Sequence, residues 1–240
     1  WLELNYGNPI YDGGGGTNLG AGLPSSIPAL AAWDNWVGAL VDRYRDRVSE
    51  WEVWNEPDGG RVNVEDYAEF YVRTAETIRS RQAGSKIFAL ALAGLGTNYL
   101  DGFLSRLQTA GRLHLVTAIT AHGYPRNPDT AQAAYDSLRR TIRKYSDTIG
   151  LRQGESGCPW TAATFGALRG QPWTETAQAK WNLRRLLGDL GHDIPSSVFT
   201  IIDLEYPTAW NTKGLLRANP DQSVAYAKPA YFAVQNLAAI

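Results

Sequence analysis

The chain has 240 residues and a formal net charge of −1, with 20% of its residues charged and 44% hydrophobic. That balance suits a soluble globular protein and offers no basic surface for nucleic acid or an anionic membrane. No apolar run reaches the roughly 18 residues of a spanning helix, and the single cysteine, Cys158, excludes an internal disulfide framework and a cysteine-built zinc cluster.

The elements follow one another without a break. An apolar run at 1–6 leads to the tetraglycine of 13–16, read as a flexible rim loop because no Gly-Lys-Ser/Thr follows to make a phosphate cradle. A helical period covers 28–48, a strand 50–55, and a second helix 64–82. In that helix Tyr67, Phe70, Tyr71, Thr74 and Ile78 recur at three- and four-residue steps, which lines one face. Strands at 86–92, 115–121, 149–154 and 198–204 then alternate with helices at 98–111, 131–146 and 174–190, and a last helix spans 223–239. Asn63 or Asn98 suits an N-cap, and Gly84, Gly111 and Gly191 stand where helices should stop.

Such alternation predicts βαβ units and a parallel sheet. No linker divides the chain, so residues 1–240 read as one domain. A doubly wound sheet and a (β/α)8 TIM barrel both fit the order of elements. The polar residues after the strands favour the barrel: Asn8, Asn55, Glu56, His122, Tyr124, Glu155 and Asp203 would all meet at one mouth.

Two strand ends carry the chemistry. In WEVWNEPD, residues 51–58, Pro57 stops further pairing and fixes the backbone directly after Glu56. In LRQGESGCPW, residues 151–160, Glu155 follows an apolar run and is flanked by Gly154 and Gly157, which permit a sharp turn. Glutamates ending two strands of one barrel would face each other, and hydrolysis of a glycosidic bond needs such a pair. Other chemistries lack their parts. Ser156 is out of register for Gly-x-Ser-x-Gly and reads as a turn residue. His114, His122 and His192 stand apart with no His-Glu-x-x-His pattern, so no metal or other cofactor is expected. Cys158 reads as a packing residue. Trp33, Trp36 and Trp181 fall in helices and read as core, whereas Trp54, Trp160 and Trp210 lie at strand ends or beyond, where an indole can stack on a sugar.

At these residues the sequence resembles clan A of the glycoside hydrolases, retaining enzymes on a (β/α)8 barrel. NYGNPIYDGG (5–14), WEVWNEPD and KPAYFAVQNL (228–237) look most like family 39 and its relatives, which include β-xylosidases, α-iduronidases and exopolysaccharide-cleaving enzymes. The resemblance implies that Glu56 is the acid/base, Asn55 binds the sugar 2-hydroxyl and Glu155 is the nucleophile. It implies too that Tyr124 hydrogen-bonds that nucleophile and that His122 lines the same subsite. Counted this way, 1–6 is the third barrel strand, and strands one and two are expected upstream of this sequence. The absence of methionine and the apolar opening agree with a missing upstream segment.

The expected function is therefore retaining hydrolysis of an oligo- or polysaccharide, by a monomer with no nucleic-acid partner and no membrane insertion. A secreted or periplasmic setting leads, with the compartment itself left open. A non-catalytic carbohydrate-binding barrel and a transglycosylase using the same residues are the alternatives.

Overall fold

Strands β1 (Leu2–Leu4), β2 (Glu50–Val53), β3 (Lys86–Leu92), β4 (Ala118–His122) and β5 (Gly150–Glu155) form one parallel sheet in that order. Between them run helices α1 (Ile27–Tyr44), α2 (Val64–Arg81), α3 (Asn98–Thr109) and α4 (Gln132–Arg143), so the predicted alternation is present to this point. The structure, a computed structural model, describes residues 1–18, 22–59 and 62–239. It divides into two compact units, one of Trp1–Ala121 with Asp136–Arg152, the other of His122–Tyr135 with Gln153–Ile240.

The first unit is built on β3. Ile87 through Leu92 are all buried, as expected of a central strand covered on both faces. Tyr67, Phe70, Tyr71 and Ile78, the stripe read on α2, are buried as well. Tyr67 and Tyr71 pack on Phe103 of α3 with ring centroids 5.4 and 5.3 Å apart. The Asn63 side chain caps α2 by accepting from the Asp66 amide at 2.7 Å. Asn98 does not cap α3 but is its first residue; the cap position belongs to Thr97. Trp33 is core, but Trp36, read as core, is 41% exposed. Trp36 stands on α1 three residues after Trp33, and its ring leans on Trp33 at 4.9 Å instead of entering the sheet interface.

The second unit holds helix α5 (Glu175–Leu190), two antiparallel hairpins and helix α6 (Pro229–Ala238). The hairpins pair β6 (Leu204–Tyr206) with β7 (Ala209–Asn211), and β8 (Leu216–Ala218) with β9 (Val224–Ala227). Two expectations are corrected here. The segment 198–204 is not a strand of the parallel sheet. Only an isolated parallel bridge joins Gln153 to Ser196, after which Thr200 and Ile201 turn their carbonyls to the amides of Leu215 and Leu216. Pro195 supplies no N–H, so the run beside β5 starts one donor short. The last helix starts at Pro229, not at 223, because proline is suited to the first helical turn and residues 224–227 are spent on β9.

Gly214 makes the switch possible. A Cβ there would stand 2.1 Å from the Asp203 amide and 2.2 Å from the Ile202 carbonyl carbon, so no larger residue fits. No helix among the described residues is long and apolar enough to cross a membrane.

Candidate active site

Each unit carries one of the two glutamates, with its own set of neighbours. In the first unit β2 closes at Val53, and the next residues leave ordinary strand geometry. Trp54 and Glu56 have φ of 67° and 49°, and on neighbouring β3 Leu90 and Ala91 have φ of 83° and 38°. Left-handed backbone at a non-glycine residue costs about 1–3 kcal/mol and persists where surrounding bonds enforce it. Those bonds are present. The Trp54 amide donates to the Leu4 carbonyl at 2.9 Å, and the Glu56 amide to the Ala91 carbonyl at 3.1 Å. Asp58 accepts from the Ala93 amide at 2.8 Å. Glu56 is thus held at a strand end by strands on both sides, and its side chain is half-buried.

Beside it the Asn55 Oδ1 is buried with no hydrogen-bond partner among the described residues. Leaving an amide oxygen so costs about 1–3 kcal/mol, which a donor from a bound molecule would return. Trp54 is corrected from a sugar platform to a core residue. It is 4% exposed, and its turn sends the indole between Trp33 at 5.8 Å and Phe70 at 5.6 Å. Asn8 lines a separate cavity of about 390 Å³ with Tyr6, Tyr11, Trp33 and Trp36.

In the second unit Glu155 ends β5 and is the centre of a polar cluster. The Tyr124 hydroxyl donates to Glu155 Oε1. The buried His122 brings Nδ1 to 3.9 Å from Oε2. Lys213, 3% exposed, places its ammonium 5.5 Å from the Tyr124 ring centroid. Burial depresses the pKa of this lysine, and the Glu155 charge acts in the opposite sense. Tyr206 is pushed up by burial, against a hydrogen bond with Asn211, and Glu155 adds to the rise. Gly157 is the glycine this turn requires, since a Cβ would lie 1.9 Å from the Phe199 carbonyl oxygen.

Helix α5 fixes the loop that follows β4. Arg185 Nη1 donates to the Gly123 carbonyl at 2.9 Å, and Trp181 Nε1 to the Pro125 carbonyl at 3.1 Å. Arg185 also donates through Nε to Asp189 at 2.8 Å and through Nη2 to the Tyr135 hydroxyl at 2.5 Å. His122 and Tyr124 flank Gly123, so this fully buried guanidinium sets the backbone from which both reach Glu155.

A second polar group lies under Trp160 and Trp210, which share a cavity of about 310 Å³ with Asp203, Thr212 and Arg217. Asp203 accepts from Lys228 Nζ at 2.8 Å, from the Gly214 amide at 3.0 Å and from Trp160 Nε1 at 3.1 Å. The Arg217 guanidinium lies 3.6 Å from the Trp160 ring centroid and covers one face of that indole. Lys213, Lys228 and Arg185 were not singled out in the sequence. Of these only Arg185 carried a local sign, its helical spacing of four to Trp181 and to Asp189.

Cys158 is fully buried, and burial pushes its thiol far above the ordinary range, with Lys213 opposing weakly. Alkylation by iodoacetamide at pH 8 should run about 100-fold slower than with a cysteine peptide, because little thiolate forms and access is closed. Full reactivity in the folded protein would contradict this placement.

No family model and no curated protein matches the chain. Among solved structures it is similar to the family 39 β-xylosidase of Caulobacter crescentus, with 23% identity, 88% of this chain and 48% of that one covered, and a TM-score of 0.65. A family 39 glycoside hydrolase of the gut symbiont Bacteroides cellulosilyticus WH2 matches at 20% identity over 89% of this chain and 46% of its own, TM-score 0.65. The fold is that of clan A glycoside hydrolases, family 39 and its relatives. An endo-β-1,3-glucanase of family 128 from Amycolatopsis mediterranei, in complex with laminarihexaose, shares this glycosidase fold at 17% identity, with 85% and 78% covered and a TM-score of 0.60. The chain spans about half the length of the two family 39 structures it matches.

Proposed function

We propose that the protein is a retaining glycoside hydrolase acting on an oligo- or polysaccharide, with Glu155 as nucleophile and Glu56 as acid/base. The observation that carries the reading is the setting of Glu155: a carboxylate ending a parallel strand, with a tyrosine hydroxyl on one oxygen and a histidine near the other. Tyr124 orients the attacking oxygen pair, and the loop bonds from Arg185 keep that orientation without rearrangement during reaction. Glu155 attacks the anomeric carbon while the Glu56 proton passes to the departing oxygen. Glu56 then takes a proton from the water that releases the sugar. Asn55, with its unpaired amide oxygen, accepts from a sugar hydroxyl. We propose further that the five-stranded sheet belongs to an eight-stranded barrel and that the chain is one catalytic domain.

The test uses an aryl glycoside whose leaving group needs little protonation. Glu56→Ala should form the glycosyl-enzyme and hydrolyse it slowly, and added azide should restore turnover with retained configuration. Glu155→Ala cannot form the intermediate, so azide there should give the inverted product. The opposite stereochemical pairing would exchange the two roles. Transglycosylation is the second reading, since a sugar hydroxyl can replace water at the same intermediate. A β-1,3-glucanosyltransferase of Rhizomucor miehei is among the similar structures, at 14% identity and a TM-score of 0.59. Chromatography decides: longer products indicate transfer, shorter ones hydrolysis, and unchanged sugar a binding barrel.

A further inference from the structure

Lys213 is packed into the surroundings of the nucleophile. Its Cβ lies 3.6 Å from where a Cβ on Gly157 would stand, so the lysine rests on the turn that carries Glu155. Its backbone is pinned on both sides: the carbonyl accepts from Gln178 Nε2 at 3.2 Å, and the amide donates to Asn211 Oδ1 at 3.2 Å. From that anchor the side chain, 3% exposed, puts Nζ 5.5 Å from the Tyr124 ring centroid. The same ring carries the hydroxyl that bonds Glu155. Gly166 leaves room for the nitrogen, since a Cβ there would lie 3.3 Å from Nζ.

Two acids bear on the ammonium, Glu155 and Cys158. Burial pushes the Cys158 thiol far up, so it keeps its proton. Glu155 is left as the anion of this lysine. Other groups of the unit do not take that place. The Tyr206 phenol is raised by burial and stays neutral, and Asp203 is held by Lys228. His122 and Tyr124 face the carboxylate itself. One buried cation is thus tied to the one carboxylate of the unit whose charge changes during the proposed reaction.

When Glu155 bonds to the anomeric carbon, its negative charge is lost and the ester is neutral. The ammonium then stands buried without its anion, which is costly in a water-poor setting. The pair is restored in the second step. Water bonds to the anomeric carbon and gives its proton to Glu56, the carbon–oxygen bond to Glu155 breaks, and its electron pair returns to the carboxylate.

We propose that Lys213 is a positioning residue acting through Glu155: it destabilises the glycosyl-enzyme and favours return of the carboxylate in the second step. This rests on the glycosidase reading and adds a residue to it.

One test needs no substrate. In an NMR titration with 13C-labelled lysine, the Lys213 signal is identified by its loss in Lys213→Arg. Glu155→Gln should lower the Lys213 midpoint by about one pH unit, because the charge that holds it up is gone. An unmoved midpoint would show that the two groups are uncoupled and overturns the proposal, whatever the activity. A second test uses the 2,4-dinitrophenyl xyloside or glucoside, in whichever anomer wild type cleaves, at pH 7.5. With so good a leaving group, breakdown of the intermediate limits kcat. In Lys213→Gln kcat should fall about 10-fold while kcat/KM changes by less than about threefold. Mass spectrometry of quenched protein should show the glycosyl-enzyme accumulating, and Lys213→Arg should recover much of kcat. A lysine that only supports the fold would lower both parameters together and accumulate nothing, which overturns the proposal. Lys213→Met, which keeps the length without the charge, repeats the comparison should Lys213→Gln fail to fold. If wild type cleaves neither glycoside, the glycosidase reading falls and the proposal with it. Wild-type turnover without the kcat effect sinks the proposal alone.

Discussion

Glu155→Ala should lower kcat by about 10⁵-fold on every glycoside the wild type cleaves, the scale on which covalent enzymes lose rate with their nucleophile. The loss should not depend on the leaving group, because without the attacking carboxylate no activated phenol can form the glycosyl-enzyme. Glu56→Gln should behave differently. Its cost should be about 10²–10⁴-fold where the departing oxygen needs a proton, and should shrink towards nothing for the formation step as the leaving group becomes more acidic. Kinetics on a series of substituted aryl glycosides would separate the two. A steep dependence on leaving group in both variants, or a loss below tenfold in Glu155→Ala, would remove the double-displacement assignment.

The second large effect concerns stability. Asp203→Ala should cost about 3–5 kcal/mol, because it strands the fully buried Lys228 and empties the partners of Trp160 Nε1 and the Gly214 amide. Lys228→Met should cost less, about 1–3 kcal/mol, since Asp203 keeps those N–H donors. The pair is not itself a net source of stability at neutral pH. Burial lowers the Lys228 pKa despite the opposing pull of Asp203. For a lysine held below its unfolded value, stability is least where the group is charged and rises as pH climbs through the lowered pKa towards the ordinary range. Denaturant titrations at pH 7 and pH 9.5 would test both the ordering and the slope. Equal costs for the two substitutions would show that the N–H donors do not hold Asp203.

Periodicity carried most of the architecture. The α2 stripe from Tyr67 to Ile78 shows the 3.6-residue spacing, β3 is a continuous apolar run of strand length, and both formed as read. The 198–204 segment misled because its apolar residues meet a hairpin strand as readily as a sheet strand. The decision rests with Pro195, which supplies no N–H beside β5, and with Gly214, whose missing Cβ lets Ile202 and Asp203 pass close by. The glutamates were legible because proline and glycine mark where strands stop. Trp54 was misread for the same reason in reverse: β2 stops at Val53, two residues short of the run 50–55, and a left-handed turn returns the indole to the core. Lys213 was invisible. A lysine in NTKGLL looks like any surface lysine, and only tertiary placement buries it beside Tyr124.

The bonds from α5 to the β4 loop divide the second unit into parts that evolution or a protein engineer can treat unequally. Trp181 and Arg185 anchor the Gly123 and Pro125 carbonyls, and Arg184 reaches Asn127 and Asp129. Lengthening that loop would break bonds made by three side chains of one rigid helix. Residues 161–172 are held by two local bonds, the Gly170 amide to Ala163 and the Trp173 indole to Leu168, and by the Phe165 ring against Tyr206 at 5.6 Å, none of which involves α5. A graft there leaves the helix untouched. New sugar preferences are therefore best sought by exchanging 161–172 between relatives, with 123–129 left as it stands.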